Sequence, residues 1–288
     1  MLRISLLISF CSLFISCQQD INGVIRTNND IDIVFHDVSN VGSSAIKDGF
    51  INLSLVVEDT VGNLIFSSKY SGLNGVSSFL YDSSIYSSFY SSIFQNIIEG
   101  DSVSFETSWE KFSNCFFKFD NPVIDRSVRV YMRFISSYNN DFQISFINEL
   151  TSKAVKNEAT VINAERKNWD TLYADILIID SMYSRLVTNN TYEFEMDLDS
   201  FSDYYVLDYS LSDLNGRVLF NTNPYKPHFF QKHKQGQLLK GFELLLNKYN
   251  SGDSICAIIP SSFAFDDKGA FSVMIPPYTP LFLSLRVR

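Results

Sequence analysis

The 288-residue chain has little cysteine, proline or histidine: four, seven and three residues. Beyond residue 17 only Cys115 and Cys256 remain. That excludes a disulfide framework and leaves two small core residues or, at most, one bridge between them. No segment after the first seventeen residues is long and apolar enough to cross a bilayer. A basic excess is also missing. The formal charge is −9, which argues against nucleic acid as a partner, because phosphate-binding surfaces are rich in Lys and Arg. There is no G-x-S-x-G elbow, phosphate loop or dinucleotide fingerprint, so triad hydrolysis and nucleotide chemistry have no support in the sequence. His228 and His233 stand among Lys226, Lys232 and Lys234 in "YKPHFFQKHK" without a third ligand nearby. A solvated basic flap that favours acidic peptide segments is the reading there, with a metal pair as the weaker alternative.

What is present starts with "MLRISLLISFCSLFISC", one positive charge at Arg3 followed by an apolar run from Ile4 to Ile15. This predicts an export signal over residues 1–16, too short to span a bilayer stably. Its end resembles the lipobox of bacterial lipoproteins, with Phe14 where Leu is usual, which implies acylation of Cys17 and anchoring to a membrane; an ordinary signal with an incidental cysteine is the alternative. Removing sixteen residues leaves 272, room for two domains. Residues 17–30 are polar and small after the cysteine, as in a flexible tether, and structure is expected to begin near Ile31.

One pattern then occurs twice. "GFINLSLVVEDTVGNLIFSS" and "YYVLDYSLSDLNGRVLFNT" each read as two strands about a turn, at Gly62 and Asn63 and at Asn215 and Gly216. A helical stretch follows each hairpin: Ile85, Tyr86, Phe89, Tyr90, Ile93, Phe94, Ile97 and Ile98 in the first, Leu238, Leu239, Phe242, Leu245, Leu246 and Tyr249 in the second. Each helix stops at a Gly-Asp pair, and turn glycine to stop glycine is 38 residues in one copy and 36 in the other. Strands "DSVSFETSW" and "DSICAIIP" come next, and the copies close on "RVYMRFISS" and "LFLSLRV". The near-equal spacing indicates an internal duplication. Between the copies, Phe142, Phe146, Leu150, Ala154, Val155, Ala159 and Ile162 predict a connecting helix from about Asp141 to Lys167, and "LYADILIID" a strand opening the second copy. The fold class is therefore α+β: two tandem domains over 31–138 and 169–288, each an antiparallel sheet wrapped on one helix, joined by a helix over 139–168.

The second copy resembles the FKBP-type peptidyl-prolyl isomerases. That family runs from a D-G-x-x-F-D turn through a V-I-x-G-W helix start, a G-D turn and a P-x-x-A-Y-G loop to a closing I-P-P-x-x-x-L strand. Here the order is "LNGRVLFNT", "QLLKGFELLL", "SGD", "IIPSSFAFD" and "MIPPYTPLFLSL", from Tyr204 to Arg288. The resemblance implies an apolar pocket of Tyr209, Phe220, Asn221, Phe230, Leu238, Leu239, Phe242, Phe265, Ile275 and Leu283. It also implies a Leu239 backbone amide that donates to a substrate carbonyl, and no cofactor. Phe242 stands for the tryptophan of the pocket floor, Phe265 for a tyrosine whose hydroxyl bonds a ligand carbonyl, Asn221 for an aspartate and Leu283 for an aromatic. One additional residue lies between Gly216 and Phe220, and Phe229 competes with Phe230 for its place. The first copy keeps "GNLIFSS" and "EGD" but has "ETSWEKFSNCFFKF" where the family has its loop, and no Ile-Pro-Pro. It reads as the same fold without a working pocket.

The resemblance implies an isomerase of Xaa-Pro bonds in the cell envelope, with proline-containing exported polypeptides as substrates. More loosely, it extends to the FKBP-type lipoproteins associated with gliding motility. The rival reading is a non-catalytic binding or assembly module in which the same side chains are merely core.

Overall fold

The computed structural model describes residues 23–27, 30–81, 88–116, 126–189, 202–222, 226–234 and 236–288. Cys17 and the export segment lie outside them, as do Ile85, Tyr86 and the side chains of Phe89 and Cys115.

The first half of the chain forms β1 (Val24–Arg26), β2 (Asp32–Asp37), β3 (Phe50–Asp59), β4 (Leu64–Ser67), α1 (Ser68–Ser71), β5 (Ser77–Leu80), α2 (Ser88–Phe94), β6 (Ser102–Ser108), α3 (Trp109–Phe116) and β7 (Ser127–Tyr138). One long helix, α4 (Asn140–Leu172), follows. The second half forms β8 (Leu177–Ile179), β9 (Met182–Asn189), β10 (Tyr204–Asp213), β11 (Val218–Asn221), β12 (His228–Gln231), α5 (Lys240–Leu246), β13 (Asp253–Ile259) and β14 (Leu281–Val287). The architecture is α+β, two antiparallel sheets joined by a helix.

The duplication is visible strand for strand. The first sheet has the order β1-β2-β6-β7-β3, with β4 and β5 both on the far edge of β3; the second has β8-β9-β13-β14-β10, with β11 and β12 both on β10. The correspondence extends to single hydrogen bonds. The carboxylate of Asp59 accepts from the Val61 and Asn63 amides, and that of Asp213 from the Asn215 and Arg217 amides, two and four residues on in each case. Such a side chain stands in for the backbone in a turn. At the turns themselves Gly62 and Gly216 take φ of +88° and +86°, a region costly for residues with a Cβ. The Asn63 hydrogen bonds hold the Asp59 carboxyl below the usual carboxylate range. Buried Asp101 and Asp253 each accept the amide three residues back, Ile98 and Asn250. The register also breaks at the same place, between Val57 and Glu58 and between Leu211 and Ser212.

Apolar alternation places one core under each sheet. In β14, Leu281, Leu283, Leu285 and Val287 are all at most 5 % exposed while the residues between them are not buried. Residues i and i+2 share a face of a strand. Phe242, Leu245 and Leu246 of α5 fill the second core, as Tyr90, Ile93 and Phe94 fill the first. Gly241 lets α5 come this close, because a Cβ there would stand 2.7 Å from a methyl of Ile259 on β13.

Helix α4 spans about 50 Å at 1.5 Å per residue and ends at Leu172, five residues beyond the expected limit. Asn139 caps it, accepting the Phe142 amide. Its apolar stripe is buried only in part: Ala154 is buried and Phe146, Leu150 and Ile162 are half-buried, but Phe142 and Val155 are 65 % and 47 % exposed, while Gln143 and Trp169, outside the stripe, are buried. A strut between two units needs anchoring at its docking points rather than along one side. Gln143 exchanges amide hydrogen bonds with Asn52 of β3, and Trp169 meets Phe282 of β14 edge-on. Midway, Glu158 accepts the Ser261 amide and hydroxyl at 2.6 and 2.9 Å. The expected opening strand of the second unit is shortened accordingly to β8, and at the chain's start β1 pairs with β2 inside the stretch read as tether.

Candidate functional site

Residues of the second sheet, α5 and two loops enclose an apolar recess of about 200 Å³. Tyr209 and Leu211 reach it from alternate positions of β10, and Phe230 from β12. The floor is Phe242 of α5, 3 % exposed, and Ile275, fully buried; Phe220 and Val273 stand at the rim with 37 % and 41 % exposure. The rings are locked by one another. Tyr209 stacks on Phe220 with centroids 5.1 Å apart and meets Phe242 edge-on at 5.1 Å, both within the range of attractive aromatic pairs. His228 joins this cluster, 5.3 Å from Phe220, with Nδ1 3.4 Å from the Tyr209 hydroxyl. Burial pushes the Tyr209 phenol up, so its hydroxyl keeps its proton.

The wall bearing Ile275 is a loop pinned at its base. Ala270 and Ile275 exchange both backbone hydrogen bonds, at 2.8 and 2.9 Å, and Met274 takes left-handed φ of +56° to close the turn between them. Gly269 has φ +62°, and a Cβ on it would lie 2.5 Å from the Ile275 carbonyl oxygen. Only glycine fits there without displacing the wall. Arg217 donates to the Met274 carbonyl from the β10–β11 turn, and Phe271 stacks on Phe66 of the first unit at 6.0 Å. Pro276 and Pro277 follow, lining a second, larger cleft against α4 and the first unit.

Of the residues that the resemblance implied, Tyr209, Phe220, Phe230, Leu238, Leu239, Phe242, Phe265 and Ile275 line the recess. Asn221 and Leu283 do not. Strand alternation turns Asn221 to the opposite side from Phe220, into a polar groove with Asp208 and Thr222, and Leu283 is fully buried in β14, paired with Leu211 and Ala257. The same alternation separates Phe230 from Phe229, which is 40 % exposed. The additional residue before Phe220 is taken up as a bulge: Leu211 pairs with Phe220 but Ser212 with Val218, leaving Leu219 between them, and both Leu219 and Phe220 line the recess. Leu238 and Leu239 are not on the helix face. Leu239 is the extended N-cap residue of α5, ψ 145°, and its carbonyl accepts the Phe242 amide. Leu211, Leu219, Gln237 and Val273 were not foreseen. Gln237 directly precedes the Leu-Leu pair, and the alternation of β10 carries Leu211 beside Tyr209, so both had a local signal.

The recess holds several water volumes of ~30 Å³ each and is smaller than the ~300–1,000 Å³ of a drug-sized or cofactor site. It suits one apolar ring of a residue. Lys232, expected in a free basic flap, donates to the Ser202 carbonyl. Cys256 is a free, half-buried thiol on β13, and burial pushes it up, away from the reactive thiolate.

In the first unit the equivalent space is occupied from within. Phe66, Phe79 and Tyr90 correspond to Phe220, Phe230 and Phe242 by strand pairing and helix position. Phe116 of α3 places its ring edge-on to Phe79 and Tyr90 at 4.8 and 4.9 Å, backed by fully buried Phe112 at 4.9 Å. The second unit has a short 3-10 turn, Ser261–Phe263, where the first has α3.

No protein-family profile matches the sequence, and no curated protein is significantly similar to it. Among solved structures, the chain is similar to a peptidyl-prolyl cis-trans isomerase from Pseudomonas syringae pv. tomato, with 20% identity over 48% of this chain and 92% of that one, TM-score 0.37. It is also similar to FkpA from Escherichia coli, 18% identical over 51% and 67%, TM-score 0.36. The three FKBP domains of wheat FKBP73 align with 92% of this chain and 97% of theirs at 10% identity, TM-score 0.32. The solved structures similar to this chain thus include a peptidyl-prolyl cis-trans isomerase and a protein of three FKBP domains.

Proposed function

We propose that the second unit is a peptidyl-prolyl cis-trans isomerase of the bacterial cell envelope that assists the folding of exported, proline-containing polypeptides. One observation carries this reading: a ring-sized apolar recess reachable from solvent at Phe220 and Val273 and floored by Phe242 and Ile275. Rotation about an Xaa-Pro bond meets a barrier of ~18–20 kcal/mol because amide resonance is lost. No acid, base, nucleophile, metal or cofactor is needed. A prolyl ring held among Tyr209, Phe230 and Phe242 leaves the imide free to twist, and drying its carbonyl disfavours the polar planar form. Each ~1.4 kcal/mol by which the twisted form is held more tightly than the planar one is a factor of ten in rate. The Leu239 amide serves as donor to a substrate carbonyl. A protease-coupled assay of an Xaa-Pro peptide tests the proposal; background activity from the full chain would rule it out.

Phe265 favours a second reading, a binding or assembly module with weak or absent catalysis, because a phenyl ring donates no hydrogen bond. Tyrosine at Phe265 is expected to raise turnover or macrolide affinity, about two- to tenfold for one added hydrogen bond. No change in either would remove Phe265 from the site.

The anchor is part of the proposal. Acylated Cys17 would hold the protein at a membrane, since several chains anchor stably where one is marginal. Cys17→Ser is expected to move the protein from the membrane fraction to the soluble one in a cell fractionation, and retention in the membrane would refute lipidation.

A further inference from the structure

One side chain that lines the recess carries a buried donor without a partner among the described residues. That side chain is Gln237, and the donor is its Nε2. The orientation of this amide follows from chemistry. Its other end, Oε1, accepts the main-chain N–H of Gln231 at 3.2 Å; a backbone N–H can only donate, so the atom facing it must be oxygen and the free end must be the NH₂ group. Gln237 is thereby held between β12 and the N-cap of α5, with its oxygen engaged and its nitrogen the free end of a side chain that lines the apolar recess. A buried donor left unmade is costly, so its persistence calls for an acceptor supplied from outside the fold.

Phe265 lines the same recess with a ring that can offer no donor. The remaining polar group of its aromatic wall, the Tyr209 hydroxyl, is within reach of His228 at 3.4 Å. We propose that the Gln237 side-chain amide is a ligand-binding group of this site, donating from Nε2 to a peptide carbonyl that flanks the bound prolyl ring. The inference rests on the prolyl reading of the recess. It assigns the ligand an additional feature: an oxygen acceptor adjacent to the ring, held by a side chain rather than only by the backbone.

The test is equilibrium binding to the full chain, by calorimetry or NMR titration, of a blocked Ala-Leu-Pro-Phe peptide. Two analogues accompany it, each with sulfur in place of one of the two carbonyl oxygens flanking proline. Sulfur keeps the shape and accepts hydrogen bonds poorly. Wild type should bind the oxygen peptide about five- to tenfold more tightly than one of the two analogues, the worth of a single hydrogen bond. Gln237→Glu preserves an acceptor for the Gln231 amide and replaces the donor by a negatively charged carboxylate, whereas Gln237→Met removes donor and acceptor without adding charge. Each variant should bind the oxygen peptide and that analogue equally. If both variants keep the preference of wild type, Gln237 is not the donor and the prolyl site stands without it. If wild type binds none of the peptides, the prolyl reading fails and the inference falls with it.

Discussion

Alanine at Phe242 is expected to lower kcat/KM on an Xaa-Pro peptide by about a hundredfold, equivalent to ~2.7 kcal/mol of transition-state binding. Phe242 is 3 % exposed, forms the floor of the recess and supports Tyr209 edge-on at 5.1 Å. Its removal therefore takes away ring contact with the substrate and also the support of the facing wall. The same truncation empties core volume and should destabilise the second unit by ~3–5 kcal/mol, so the assay needs a control that is still folded. Tryptophan, the residue that the resemblance places here, is that control: Phe242→Trp is expected to retain or raise activity. Full activity in a folded Phe242→Ala protein would mean that catalysis occurs elsewhere.

The second large effect lies in the first unit. Phe116→Ala is expected to lower its stability by ~3–5 kcal/mol, the usual cost of truncating a buried phenylalanine. Its ring fills the space between Phe79, Tyr90 and Phe112. The measurement is the denaturant midpoint of the first unit, followed by hydrogen exchange of β3 and β7 amides so that it is distinguished from the second unit. Exchange in β10 and β14 should not change. The variant should also gain a hollow bordered by Phe79 and Tyr90, and an apolar hollow of this kind takes up small apolar ligands. An unchanged midpoint would show that Phe116 does not plug this unit.

Much of this organisation was legible in the linear pattern. Strict alternation from Leu281 to Val287 can be satisfied only by a strand with one buried face. The hairpin turns were marked by Gly62 and Gly216, and the spacing from turn to stop glycine revealed the repeat that strand order and the paired Asp59 and Asp213 turns make explicit. The recess was legible as a set of residue types in family order, which brought Tyr209, Phe242 and Ile275 into one group although they are 66 residues apart at the extremes.

Other features depend on contacts between distant segments, which no local pattern encodes. The apolar stripe of α4 marked a helix, and Ala154 within it is buried, but Phe142 and Val155 are exposed and the helix also docks through Gln143, Glu158 and Trp169, because its partners are two separate sheets. Leu238 and Leu239 had helical spacing, but Leu239 takes extended backbone as the N-cap and α5 begins only at Lys240. By itself, then, the sequence determined strand faces, turns and the duplication, because these follow from short-range stereochemistry and hydrophobic period, while the expected cavity residues came from the family resemblance. Only the tertiary structure decided that one unit is open and the other plugged by Phe116, that Asn221 and Leu283 face away, and that Gln237 has a spare donor. Each of those depends on which atoms compete for the same few cubic ångströms after distant parts of the chain have come together.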